Sequence, residues 1–304
     1  MTISWRGTFT ALVTPFRGDG SVDLGALERL VTRQIEGGVE GIVPCGTTGE
    51  SATLTNDEKL QVIEVSKKFS KDRLIIAGTG GNATDAVVRF AREAVQAGAD
   101  ALISVVPYYN RPNQEGLYRH FTTIADAVDT PLFAYDVPSR TGSSLLPATV
   151  KRLAAHPNVQ GIKEASGDLS KISQILEDRP DGFRVLSGDD HLALPIAALG
   201  GDGVVSVVSN EVPMLMSSMV KQALAGRIEQ ARELHFRLLP LMRANFVDTN
   251  PIPVKAALVM MGLIEERYRL PLTPLEDAER LRLRDLLATM KLIDVAREEK
   301  VSTG

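Results

Sequence analysis

The chain has 304 residues, enough for one large domain or two small ones, and its 44% hydrophobic and 24% charged residues are ordinary for a soluble globular protein. A formal net charge of −4 gives no electrostatic reason to expect nucleic acid or an anionic membrane as partner, and no apolar run approaches the roughly 18 residues of a membrane span. The single cysteine, Cys45, precludes an intrachain disulfide, and the start, MTISWRGTFTALVTPF, lacks the pattern of a secretory signal, so a cytoplasmic location is expected.

In chain order, short runs of Val, Ile and Leu predict strands at Thr8–Val13, Gly41–Pro44, Leu74–Gly78, Ala101–Val106, Pro131–Tyr135, Val159–Lys163, Arg184–Ser187 and Gly203–Val207. The runs are apolar at nearly every residue rather than alternating, as expected of parallel strands covered on both faces. Between them, segments such as LGALERLVTRQIEGG and DAVVRFAREAVQAG place apolar residues at helical spacing. A weak repeat supports the alternation: GVEGIV begins at Gly38, GADALI at Gly98 and GGDGVV at Gly200. Each is a glycine closing a helix, then an acidic residue, then an apolar strand. Eight such units predict an α/β fold, a closed (β/α)8 TIM barrel with appended C-terminal helices. A doubly wound sheet is the competing arrangement, but it usually stops at five or six strands. Residues 1–225 are assigned to the barrel and 226–304 to a helical extension. QALAGRIEQARELHFRLLPLM can still pack as the eighth barrel helix, PVKAALVMMG and EDAERLRLRDLLATM are appended helices, and the final EEKVSTG is expected to fray.

The loops after barrel strands carry chemistry. Here they read CGTTGES, GTGGN, PYYNRP, YDVPSRTG, KEASG and SGDD. Lys163, at the end of the sixth run, is the sharpest feature. A lysine whose stem lies on apolar surface while its head reaches water is the plain reading. Inside a barrel rim, however, desolvation favours the neutral amine, which attacks a carbonyl to form a Schiff base. That chemistry needs a proton shuttle, and Tyr135 ends the neighbouring strand, with Thr47 or Thr48 and Tyr109 available as a hydroxyl chain. A core aromatic is the plain reading of Tyr135. GTTGE offers amides and hydroxyls to a carboxylate, or is a tight turn ending in a helix cap. Arg140 has the planar fork that grips a carboxylate, or lies on the surface. Asp189 and Asp190 form either a carboxylate pair or a helix start. No HExxH, CxxC, GxGxxG after a strand or GxxxxGK[ST] occurs, and His120, His156, His191 and His235 are scattered, so no metal and no nucleotide cofactor is expected.

From about Gly7 to Pro274 the chain resembles the dihydrodipicolinate synthase / N-acetylneuraminate lyase group of class I aldolases. GTTGESATL, GTGGNAT, PYYNRPNQEGL, YDVPSRTG, GIKEASG, SGDD and NPIPVKAAL stand in family order. The resemblance implies that Lys163 forms the imine with pyruvate, with no other cofactor, and that Tyr135 transfers protons through Thr47 and Tyr109. It implies that Tyr109 acts from a neighbouring subunit in a homotetramer built as a dimer of dimers. Thr47 and Thr48 would hold the pyruvate carboxylate, while Gly188 and Val205 line the pocket through backbone groups. Arg140 resembles the synthase branch, which condenses pyruvate with L-aspartate semialdehyde in lysine and diaminopimelate biosynthesis. Asp136 departs from the Asn common there, which leaves a pyruvate-dependent aldolase or dehydratase of sugar acids or other 2-keto acids as the second reading. A catalytically silent barrel is the third, and it would need Lys163 or Tyr135 to be lost. Lysine-inhibited synthases resemble the chain at Ser51, Ala52, Asn82 and Tyr108, but commonly have histidines at Asn56 and Lys59 and a glutamate at Ala86. Weak or absent feedback by lysine is therefore expected.

Overall fold

A computed structural model of the chain describes residues 4–294. Eight parallel strands close into one barrel in sequence order: β1 (Gly7–Ala11), β2 (Gly41–Val43), β3 (Leu74–Gly78), β4 (Ala101–Val105), β5 (Leu132–Asp136), β6 (Val159–Glu164), β7 (Arg184–Ser187) and β8 (Gly203–Ser206). The ring is completed by β8 on β1, with Gly7 opposite Gly203 and Thr10 opposite Ser206. All eight strands expected from the sequence are present, and the doubly wound alternative is excluded by this closure.

The outer layer follows the same alternation. Helices α1 (Leu24–Glu36), α2 (Asn56–Phe69), α3 (Thr84–Gln96) and α4 (Gln114–Asp126) follow the first four strands. Two short helices, α5 (Pro138–Thr141) and α6 (Pro147–Ala154), link β5 to β6. Then come α7 (Leu169–Asp178), α8 (Ala193–Ala198) and α9 (Pro213–Leu224). The segment QALAGRIEQARELHFRLLPLM is not one helix. Gly226 takes φ +74°, a conformation that closes α9, and α10 (Ile228–Ala244) starts afresh. It is α9 that packs on β1 and β8 as the eighth barrel helix. The extension continues with α11 (Ile252–Met260) and α12 (Asp277–Thr289), and shares one apolar core with α9 through Met216, Met219, Leu238, Leu241, Ala257 and Leu287. The expectation for EEKVSTG lies outside the described residues. Among the described residues no helix is long and apolar enough to cross a membrane.

Inside the barrel, Phe9, Val43, Ile76, Ile103, Phe133, Leu186 and Val205 form a filled layer. Gly161 makes room for it: a Cβ there would come within 2.6 Å of the Phe133 ring. The GVEGIV, GADALI and GGDGVV repeat has a mechanical basis. Gly38, Gly98 and Gly200 all take positive φ, at +78°, +101° and +100°, and turn the chain from helix into strand. The following carboxylates of Glu40, Asp100 and Asp202 accept the N–H groups of Thr8, Ile75 and Val185 at 2.8, 2.8 and 3.0 Å. Each is also paired with a cation, Lys221, Lys67, or Arg179 with Arg184. The repeat thus ties strand starts together at the end of the barrel opposite the chemistry.

One buried group makes stability pH-dependent. His120 on α4 is buried, its Nδ1 shares a hydrogen bond with Thr84 Oγ1 at 2.9 Å, and its Nε2 has no partner among the described residues. Burial pushes its pKa down to about 4 from the ordinary 6.5. The unfolded chain therefore takes up this proton before the folded one, so stability present above pH 6.5 is lost as pH falls towards 4. The full effect is on the order of 3 kcal/mol. Urea unfolding should show a shallower acid loss in His120→Leu than in the unsubstituted protein. Parallel pH profiles for the two would remove His120 as the cause.

Candidate active site

Strand alternation decides which groups meet. Tyr135 on β5 lies directly opposite Lys163 on β6, and both point into the barrel mouth. The Lys163 amine sits 4.0 Å from the centre of the Tyr135 ring, and the residue is 8% exposed. Among the described residues Nζ makes no hydrogen bond and no ion pair. An amine so enclosed has no side-chain partner to displace before it meets a carbonyl carbon. On β7's far side, Gly188 gives the lysine stem its room: a Cβ would meet Ala165 Cβ at 2.4 Å and Lys163 Cε at 3.1 Å. Val205 is fully buried in the layer beneath, beside Leu186. The two aspartates of SGDD diverge. Asp190 is buried and accepts the N–H groups of Val207 and Val208 at 3.0 and 2.8 Å, joining the ends of β7 and β8. Burial raises the Asp189 pKa, against the charges of His191 and Lys163.

The next residue on each strand faces the opposite way. Asp136 and Glu164 are register partners, both are buried, and both bond to Lys171 of α7. Lys171 Nζ lies 2.6 Å from Glu164 Oε1 and 3.1 Å from Ser144 Oγ. Burial acts against the Lys171 charge, but the two carboxylates outweigh it and raise its pKa. Asp136 therefore points away from the cavity. Its departure from Asn is matched by the ammonium of Lys171.

The loop after β2 brings the hydroxyls. Thr48 is buried and its Oγ1 accepts from Asn250 Nδ2 at 3.0 Å, while the Asn250 carbonyl accepts from Arg140 at 3.1 Å. A cavity of about 430 Å³ opens between Thr47, Lys59, Tyr108, Arg140 and Asn250. A narrow extension of about 60 Å³ lies between Thr47, Lys59, Thr79 and Tyr135. Burial pushes the Lys59 amine down from the usual lysine range. A roomier cleft of about 510 Å³, around Gly20, Arg269 and Pro274, contains none of these groups. Cys45 lines the extension, but burial pushes its thiol up to about 12, which leaves it unreactive. Among the described residues no group of three or more His, Cys, Asp or Glu could hold a metal ion.

Within one chain the structure does not bring Tyr109 to Lys163. Tyr109 is 91% exposed and holds φ +72°, a conformation that costs a non-glycine residue about 1–3 kcal/mol. Arg111 at +45°, Cys45 at +56° and Glu50 at +53° are held in the same region, so four of the six non-glycine residues at positive φ among the described residues lie in the loops after β2 and β4, the others being Lys71 and Lys291. Asn250 was not singled out by sequence reasoning. Its only signal was its place in NPIPVKAAL, some 200 residues from the threonine it contacts.

The chain is similar to known proteins along nearly its whole length. The model of the Dihydrodipicolinate synthetase family matches residues 4–290. A relative from Chlorobium limicola, called 4-hydroxy-tetrahydrodipicolinate synthase, is 47% identical over 94% of this chain and 98% of its own. The crystal structure of dihydrodipicolinate synthase from Aquifex aeolicus superposes with a TM-score of 0.93 at 43% identity, covering 95% of this chain and 99% of that one. The chloride-inhibited dihydrodipicolinate synthase from Acinetobacter baumannii, solved in complex with pyruvate, matches at 44% identity and a TM-score of 0.93, over 96% of this chain and 100% of that one. The eight-stranded barrel and these relatives define the chain as a lyase. This chain is a member of the Dihydrodipicolinate synthetase family.

Proposed function

We propose that the protein condenses pyruvate with L-aspartate semialdehyde to 4-hydroxy-tetrahydrodipicolinate, a lyase of the class I aldolase type serving lysine and diaminopimelate biosynthesis in the cytoplasm. The observation that carries this is the Lys163 amine, without a hydrogen bond or ion pair among the described residues and 4.0 Å from the centre of the Tyr135 ring, with Tyr135 bordering the narrow pocket that shares Thr47 and Lys59 with the cavity of Arg140. Lys163 Nζ adds to the pyruvate carbonyl carbon and water leaves, giving an iminium. The methyl carbon then loses a proton to become an enamine, because the iminium nitrogen takes up the electron pair. That carbon attacks the aldehyde. The amino group of the second substrate then adds to the imine carbon, closes the ring and expels Lys163. The iminium formed on the chain's own amine is the electron sink, so no added cofactor is required.

In this reading Tyr135 moves the protons, with Thr47 beside it in the narrow extension of the cavity. Tyr109 completes the relay from a second copy within a homotetramer, which fits its exposure and its strained backbone. The Thr47 and Thr48 hydroxyls hold the pyruvate carboxylate. Gly188 and Val205 shape the floor of the site, and Arg140 grips the carboxylate of the semialdehyde.

The test is joint consumption of pyruvate and L-aspartate semialdehyde, followed by mass spectrometry. A cyclised, hydrated condensation product is expected. An untouched semialdehyde alongside a borohydride-trapped pyruvate adduct would move the substrate to sugar acids. Arg140→Ala should raise KM for the semialdehyde by about 10–100-fold, the worth of a charge-assisted hydrogen bond, with the pyruvate adduct preserved.

A further inference from the structure

Lys163 is not the only lysine that the fold buries. Lys255, on α11, has no exposed surface, and its surroundings are the reverse of those at Lys163. Its Nζ donates to Glu50 Oε1 at 2.5 Å and to the Arg267 carbonyl at 2.7 Å. It lies 4.4 Å from the Phe16 ring centre and 5.0 Å from that of Tyr268. Glu50 is the last residue of GTTGE, buried, in a left-handed backbone conformation. Its N–H donates to the Thr47 carbonyl at 3.1 Å, and its carbonyl accepts from the Thr53 N–H at 3.0 Å. Arg269 reinforces the same turn from the extension. Its N–H reaches Glu50 Oε2 at 3.4 Å, and its guanidinium reaches the Thr53 carbonyl and the Glu58 carboxylate, both at 2.8 Å.

An ion pair hidden this deeply is a poor source of stability, because desolvating both charges offsets their attraction. A packed apolar pair would hold α11 to the barrel as well. What a charged, hydrogen-bonded pair adds is direction: it selects one backbone path for the turn that it grips. That turn carries Thr47, which borders the narrow cavity with Tyr135, and Thr48, whose hydroxyl is met by Asn250 just before α11. We infer that Lys255 is a positioning residue of the active site, which acts through Glu50 to set Thr47 and Thr48 against pyruvate and Tyr135. The inference rests on the pyruvate-imine reading of Lys163. The C-terminal extension is then part of the catalytic apparatus, although no group on it need touch the reacting atoms.

Two variants test this, Glu50→Gln and the double variant Glu50→Gln/Lys255→Met, each read by melting temperature, by kinetics and by borohydride trapping of pyruvate on Lys163. Removing both charges together should leave the melting temperature within a few degrees. In both variants KM for pyruvate should rise and kcat should fall, by about 10–100-fold in kcat/KM, as for a small misplacement of catalytic groups. The adduct should still form on Lys163. A purely structural anchor would lower the melting temperature and leave KM and kcat per folded molecule alone. Unchanged KM and kcat in Glu50→Gln would overturn the inference even if the double variant failed to fold. Absence of the adduct in the unsubstituted protein would instead overturn the imine reading, and this inference with it.

Discussion

Lys163→Ala should abolish turnover, with kcat down by at least about 10³-fold, the scale seen when a covalent nucleophile is removed. The loss should come without loss of the fold. Nζ has no hydrogen bond or ion pair among the described residues, so its removal strands no buried partner. The layer beneath, with Phe133, Leu186 and Val205, is already filled and buried. Lys255→Ala would behave in the opposite way, because it leaves the Glu50 carboxylate buried without its cation. The contrast identifies which buried lysine is built for chemistry. Near-normal turnover by Lys163→Ala, measured on folded protein, would reject the Schiff-base assignment.

Tyr135→Phe should lower kcat by about 10²–10⁴-fold, the usual worth of a positioned acid–base group. Phenylalanine keeps the ring under the Lys163 amine and the packing against the barrel layer, and loses only the hydroxyl. The imine should therefore still form, slowly, and remain trappable by borohydride. Steady-state kinetics and trapping on the same preparation separate the two roles. A wild-type kcat in Tyr135→Phe would return Tyr135 to the status of a core aromatic and assign proton transfer elsewhere.

Most of the barrel was legible in the sequence because strands covered on both faces are apolar throughout, and because Gly38, Gly98 and Gly200 punctuate helix-to-strand turns. The Lys163–Tyr135 pair was legible for a related reason. Both residues end apolar runs, and neighbouring parallel strands bring such ends together. One reading failed where a signal was present. Gly226 is an ordinary helix stop, yet the surrounding amphipathic pattern runs smoothly across it. Asp136 follows an inward-facing tyrosine, so the period of two already turns it outward, towards Lys171. Other contacts had no local signal. Asn250 with Thr48, and Lys255 with Glu50, join residues about 200 positions apart, and nothing in the pattern of either segment names the other. Tyr109 shows a different limit, since it is 91% exposed and does not meet Lys163 within one chain.

The most direct test of the central claim is to locate the trapped adduct. The protein is incubated with pyruvate, reduced with borohydride and digested, and the modified lysine is identified by mass spectrometry. The expected result is a single modification, pyruvate plus two hydrogens less water, on the peptide that contains Lys163, with Lys59, Lys171 and Lys255 unmodified. An adduct on any other lysine, or none at all in protein that still consumes both substrates, would contradict the account.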